Sequence, residues 1–330
     1  MPANKTEPLQ AFCFLLLATV CWGLSFLTMK ALVLTQQKLL PQSSTWLLTA
    51  LSLMIRFGFA ALILLFWNAR TLRQITRAEL LHGTVLGVIG GIGLLFQMDG
   101  VNYTSASTSA FLTQCYCLFI PLIVAVRQRR WPSKTLSASC ALVLAGVAIL
   151  SQFDFRQMRL GRGEWETLIA TLFFTGQILW LERPGFAANN PKHITLIMFL
   201  WNALIVLPIP LLLVTDLAEA IATYQTPSAI LLMGILIFFC SLIAYSLMNY
   251  WQPHIQAAKA GVIYCFEPVF ASLFALFLPQ WISRFAKINY PNETLTFNLL
   301  GGGVLIIAAN ILILWQAVKT QSRLKTNKLG

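Results

Sequence analysis

The chain has 330 residues, 58% of them hydrophobic and 10% charged, against about 25% charged in an ordinary soluble domain. No soluble fold of this size could hide that much apolar surface, so the surrounding solvent is lipid. The formal net charge of +12 is not a nucleic-acid signal, because the basic residues sit in short connectors between apolar runs, where Lys and Arg set membrane topology.

Ten spans follow in chain order, near residues 10–34, 45–67, 79–99, 104–126, 135–152, 164–182, 194–214, 228–251, 257–279 and 296–318. Most are long enough to cross a bilayer as a helix. The first, from Ala11, follows a weakly charged leader without an Ala-x-Ala site and reads as an uncleaved helix. The connectors are too short for a folded extramembrane domain. The longest, Gln280 to Leu295, holds the turn-forming run Asn289-Tyr-Pro-Asn292. Basic residues concentrate in alternate connectors (Arg70, Arg73 and Arg77; Arg127, Arg129, Arg130 and Lys134) and in the tail Lys319–Lys328, which also suits anionic lipid. That bias places both termini in the cytoplasm, as expected of a bacterial inner-membrane protein; Arg156, Arg159 and Arg162 in the connector Asp154–Gly163 run against it.

Spans four and nine stand out. The run Gln256–Pro279 is apolar almost throughout, yet carries Glu267 and Pro268 near its middle, and Ser105–Val126 has Pro121 in the corresponding place. A mid-membrane charge costs several kcal/mol unless paired or wetted, and a mid-span proline frees a carbonyl. Pro121 and Pro268 are therefore read as helix breaks. Other positions correspond in order: Gly23 with Gly176, Lys30 with Arg183, Arg56 with Asn202, Gly83 with Gly234, and Ala145-Gly146 with Ala308-Ala309. The chain reads as two units, 1–152 and 153–330. Five spans per unit invert the second copy, the architecture of alternating-access carriers. The fold class expected is an all-α integral membrane protein, with ten transmembrane helices as two inverted five-helix repeats.

Several segments carry a family resemblance: Ala106-Ser-Thr-Ser-Ala-Phe-Leu-Thr-Gln114 through Pro121, Leu144–Leu150, Ala257-Ala-Lys-Ala-Gly261, Glu267-Pro-Val-Phe-Ala271, Asn292–Thr296, the Gly301–Gly303 run, Trp22-Gly23 and Arg56-Phe57. Together they resemble the EamA family of the drug/metabolite transporter superfamily, from about residue 11 to 318. The resemblance implies a carrier of small solutes. The chain departs from the family after span four, where Arg127-Gln-Arg-Arg-Trp-Pro132 has no acid, and Glu293 follows only after an insertion.

Glu267 is the leading site residue, either titrating to couple transport to protons or ion-paired to hold the repeats together. Arg56 either grips an anionic group of the solute or pairs with Glu267 or freed carbonyls. Trp22, Gln114, Asn202 and Tyr264 complete the expected cavity lining. Lys30 and Arg183, with Glu182 beside it, are read as helix-end side chains that snorkel. The stripe Gly83, Gly87, Gly91 and the pair Ala141, Ala145 read as helix-packing faces.

The seven cysteines fall within spans, with no second Cys/His pair at metal spacing. Neither a metal nor a cofactor is expected, and no Gly-x4-Gly-Lys-Ser/Thr sequence provides for ATP. His82, His193 and His254 lie at span edges, far apart in sequence, and no His-Glu-x2-His or Gly-x-Ser-x-Gly pattern occurs. The expectation is a secondary carrier, exporting small metabolites such as amino acids, with membrane lipid and protons as partners. A membrane-embedded enzyme or a non-transporting scaffold is the alternative.

Overall fold

The computed structural model describes residues 7–103, 109, 112–129, 131–150 and 161–326. Residues 104–108, within the fourth span, and the basic connector with Arg156 and Arg159 lie outside them. The described elements are helical: α1 (Glu7–Leu39), α2 (Thr45–Trp67), α3 (Arg77–Gly100), α4 (Tyr116–Gln128), α5 (Lys134–Leu150), α6 (Arg162–Leu181), α7 (Pro191–Val206), α8 (Pro208–Leu213), α9 (Leu217–Ala222), α10 (Pro227–Ile237), α11 (Ala244–Trp251), α12 (Ala257–Tyr264), α13 (Glu267–Ala275), α14 (Leu278–Ala286) and α15 (Phe297–Thr326). A π-helical turn, Phe238–Ile243, joins α10 to α11. Among the described residues, six stretches are long and apolar enough to cross a membrane: Leu9–Leu39, Thr45–Trp67, Arg77–Gly100, Pro191–Leu213, Pro227–His254 and Ala257–Ala275. Leu112–Arg127, Lys134–Ile149 and Leu300–Leu312 are shorter apolar helices in three of the other expected spans, and α6 occupies the remaining one.

Local chemistry sets the helix starts. Thr76 and Glu79 form a reciprocal capping box at α3: Glu79 N donates to Thr76 Oγ1 at 3.2 Å and Thr76 N to Glu79 Oε2 at 2.8 Å. Pro191 and Pro227 open α7 and α10, where a missing N–H costs nothing. Asn190 and Thr226 cap those helices through Lys192 N at 3.0 Å and Ala229 N at 3.2 Å.

Helix α3 is the packing hub. Its face through Gly83, Gly87 and Gly91 lies against α7; a Cβ at Gly87 would sit 2.5 Å from Trp201 Cβ and 2.6 Å from the Met198 carbonyl oxygen. Its other face meets α6, where Gly100 stands against the Gly163 carbonyl oxygen, 3.0 Å from where a Cβ would be. Helix α1 packs on the Phe238–Trp251 stretch and on α13, and α5 packs on α15.

Four expectations change. Ala141 and Ala145 face outward on α5; the face meeting α15 is instead that of Gly146, set against the Gly302 carbonyl. Pro121 lies inside the continuous helix α4. The interruption of the fourth span falls at Cys115, because i→i+3 bonds close the chain there, Cys115 N donating to the Leu112 carbonyl. Lys30 does not terminate a helix, since α1 continues to Leu39; its ammonium lies 5.6 Å from the Tyr290 ring centroid. The connector after the ninth span carries α14, whose Trp281 and Phe285 stack with centroids 6.4 Å apart, before the turn at Lys287 (φ 54°).

Candidate functional site

A cavity of about 350 Å³ lies between α1, α2, α3, α6, α11 and the interrupted pair α12–α13, within the ~300–1,000 Å³ range of small-molecule sites. Helix α1 supplies a continuous stripe at helical spacing: Trp22, Ser25, Phe26, Met29, Lys30, Val33, Leu34 and Gln37. Helix α3 adds Leu94, Gln97, Met98 and Val101, and α6 adds Phe174, Gln177 and Ile178. The lining reaches the protein surface at the exposed Gln37 and Asn102, near the ends of α1 and α3, and this end is called the mouth.

The opposite end is closed by aromatic and amide contacts. Trp22 meets Tyr245 and Tyr264 edge-on, with centroids 5.4 and 5.3 Å apart. Tyr264 OH donates to Gln252 Oε1 at 2.8 Å, and Gln252 Nε2 donates to the Ile178 carbonyl at 2.8 Å. Glu182 Oε2 accepts from Ala257 N at 2.8 Å. The C-terminus of α6 is thereby fastened to the start of α12.

Arg56, Glu267, Trp22 and Tyr264 all line the cavity. Arg56 is 2% exposed. Its Nε donates to Ser241 Oγ at 2.6 Å, Nη1 to Ser25 Oγ at 3.2 Å, and Nη2 to the Cys240 carbonyl at 2.8 Å. The π-helical turn Phe238–Ile243 contains both Cys240 and Ser241, and such a turn disturbs the regular i→i+4 ladder that would otherwise occupy its carbonyls. Of the two structural partners the sequence allowed Arg56, the structure supplies a backbone carbonyl, with two serine hydroxyls beside it, rather than Glu267: among the described residues no carboxylate lies within salt-bridge distance of the guanidinium.

Glu267 opens into the same cavity from the first residue of α13, directly after the interruption at Cys265-Phe266. Pro268 follows in the first turn, where it needs no N–H donor, and a carboxylate there suits the helix dipole. The break read at Pro268 thus falls one turn earlier, with the proline as starter of the second half-helix. Helix α1 approaches here so closely that a Cβ on Gly23 would sit 2.8 Å from Ala271 N and 3.1 Å from the Glu267 carbonyl.

Gln114 and Asn202 do not reach the cavity. Gln114 is 1% exposed and sits just before the turn at Cys115, which directs Thr113 and Tyr116 into the cavity instead. Asn202 is fully buried on the α7 face that meets Gly91 of α3. Its correspondence with Arg56 in the repeat therefore carries over no shared cavity position. Gln97, Gln177 and Tyr245, polar or amphipathic groups within expected spans, also line the cavity, as do Ser25, Met29 and Met248; the signal for the last three is helical spacing, Ser25 with Met29 at i+4 and Tyr245 with Met248 at i+3.

Two further polar groups lie outside the cavity wall. At the closed end, Glu79 accepts from Asn190 N at 2.8 Å and pairs with His193 Nδ1 at 3.1 Å, while His193 Nε2 meets Thr71 Oγ1 at 3.1 Å. His82, stacked 4.4 Å from Phe186, joins the same end. At the mouth end, Arg162 bridges Asp99 and Glu166. Among the described residues no group of three or more His, Cys, Asp or Glu is arranged to hold a metal.

Residues 9–152 match the model of the EamA-like transporter family. An uncharacterized transporter of Archaeoglobus fulgidus is 28% identical over 196 residues, 59% of this chain and 59% of that protein. The match thus spans less than two thirds of the relative's length. A solved crystal structure superposes with a TM-score of 0.66 at 15% identity, covering 96% of this chain and 98% of that one; at that identity the likeness speaks for the fold alone. Over residues 9–152, this chain is similar to the EamA-like transporter family.

Proposed function

We propose that the protein is a secondary transporter of small zwitterionic or amphipathic metabolites, of the amino-acid class, working by alternating access and in the export direction. One observation carries the reading: a mid-bundle cavity holds a buried guanidinium and a carboxyl that are not paired with each other. Each charge is costly in a membrane without a partner. A solute with a carboxylate for Arg56 and an ammonium for Glu267 satisfies both, and Trp22, Tyr245 and Met248 receive its apolar part. The cavity's volume speaks against a scaffold role, which would leave no room for a solute.

Packing supports the ten-span, inverted-repeat organisation. The third span packs on the sixth as the eighth packs on the first; the second and seventh pair with each other, and so do the fifth and tenth. Those pairings are related by exchanging the two units, 1–152 and 153–330. Rocking of the units would close the mouth at Gln37 and Asn102 and part the Tyr264–Gln252–Ile178 contacts at the other end. With both termini cytoplasmic, in a bacterial inner membrane, the mouth faces outward.

The test is uptake by the purified protein in liposomes against a pooled metabolite library, at two pH gradients. The reading expects movement of zwitterions bearing apolar or aromatic side groups. Movement confined to dianions or to simple cations would contradict it.

A further inference from the structure

Asp99 is fully buried near the end of α3, and Glu166 is 7% exposed in the opening turns of α6. One cation serves both. Arg162 Nη2 donates to Asp99 Oδ2 at 2.5 Å and its Nε to Glu166 Oε1 at 2.7 Å. The guanidinium lies 3.9 Å from the Tyr103 ring centroid and 5.9 Å from that of Trp46, with its side chain 45% exposed. This uses one oxygen of each carboxyl. The other two, Asp99 Oδ1 and Glu166 Oε2, are buried and have no hydrogen-bond partner among the described residues, and the shared guanidinium holds the two carboxyl groups side by side.

Ionised carboxylates only accept hydrogen bonds, so two of them cannot satisfy each other. Two like charges this close, sharing a single cation, are disfavoured. The neighbouring elements supply no second charge among the described residues: α2 presents Thr45, bonded to Tyr103 OH at 3.0 Å, and Trp46. The fourth span presents Ser109, 3.1 Å from Thr167 Oγ1, and Thr167 in turn donates to the Gly163 carbonyl. We propose that Asp99 and Glu166 form a proton-binding site, holding one proton between their orphaned oxygens under the Arg162 clamp.

The proton gives each orphaned oxygen a partner and leaves the trio neutral. Its loss puts two anions on one cation across the Gly100–Gly163 contact, where α3 and α6 come too close to admit a Cβ without crowding. Repulsion there parts the two helices beside Val101 and Asn102, at the cavity mouth. The site is therefore an acid group distinct from Glu267, placed to tie proton occupancy to the opening of the mouth, and it stands independently of which solute the cavity takes.

Infrared spectroscopy of the full-length protein in lipid vesicles tests it through the carbonyl stretch of protonated carboxyl groups. At neutral pH one such band is expected to vanish in both Asp99→Asn and Glu166→Gln and to persist in Glu267→Gln. It is expected to be unchanged when choline chloride replaces sodium chloride. Retention of every band in both Asp99→Asn and Glu166→Gln overturns the proposal, as does a band that sodium abolishes, since a metal ion would then occupy the oxygens. Should either variant fail to fold, Arg162→Gln removes only the half-exposed clamp. Without the cation the pair takes up a second proton and the band grows about twofold; an unchanged band there overturns the proposal equally.

Discussion

Replacing Gly87 by alanine adds one methyl group where α3 and α7 meet. That Cβ would lie 2.5 Å from Trp201 Cβ and 2.6 Å from the Met198 carbonyl oxygen, well inside the ~3.5–4.0 Å of ordinary carbon contact. Neither neighbour is a flexible side-chain end, so α3 and α7 must separate by about 1 Å along the rest of the glycine stripe, forfeiting close packing at Gly83 and Gly91. Overpacking of this kind costs about 1–3 kcal/mol. Gly234, in α10, supplies the control: it is the repeat counterpart of Gly83, yet nothing lies within 4 Å of where its Cβ would be. There the better helix propensity of alanine, up to about 1 kcal/mol, acts alone. The fraction of monodisperse protein surviving a temperature series in detergent compares the two. Gly87→Ala is expected to lower the midpoint by several degrees, and Gly234→Ala to leave it unchanged or raise it. Equal midpoints for both variants would refute the reasoning that α3 is seated by close backbone approach to α7.

Arg56→Lys keeps the charge but cannot reach Ser241, Ser25 and the Cys240 carbonyl together; solute affinity should fall at least tenfold in equilibrium binding, and retained affinity would mean the fork geometry is irrelevant. Tyr264→Phe removes the hydroxyl that donates to Gln252, so the neighbouring Cys265, fully buried, should react faster with a small thiol reagent; an unchanged labelling rate would exclude that contact as part of the closure. Glu182→Ala strips the cap from Ala257 N, for an expected loss of about 1 kcal/mol, visible as a lower thermal midpoint, whereas Glu182→Gln retains an acceptor and should show little change.

Much of this was legible in the sequence, because a bilayer leaves few alternatives. Apolar length and connector charge are enough to read out helices such as α2 and α3, and the Gly83–Gly87–Gly91 spacing already indicates a close contact. Glu267 and Arg56 stand out since a charge within an apolar span demands an account. The reading was weaker where a residue's direction matters more than its place. Gln114 and Asn202 are polar and mid-span, but a turn at Cys115 and the α3–α7 interface point them away from the cavity. Pro121 looked like a break by analogy with Pro268, yet the chain interrupts six residues earlier, at Cys115. The Asp99–Glu166–Arg162 cluster was illegible because Asp99 and the i,i+4 pair Arg162–Glu166 come from different spans and meet only through the packing of α3 on α6.

The central claim is that Arg56 and Glu267 bind the two ends of one solute. Its most direct test is proteoliposome uptake of an amino acid, its decarboxylated amine and its deaminated acid by the wild type, Arg56→Gln and Glu267→Gln. The wild type should favour the amino acid over both analogues. Arg56→Gln should lose the preference over the amine alone, and Glu267→Gln the preference over the deaminated acid alone. Both preferences surviving in both variants would contradict the assignment.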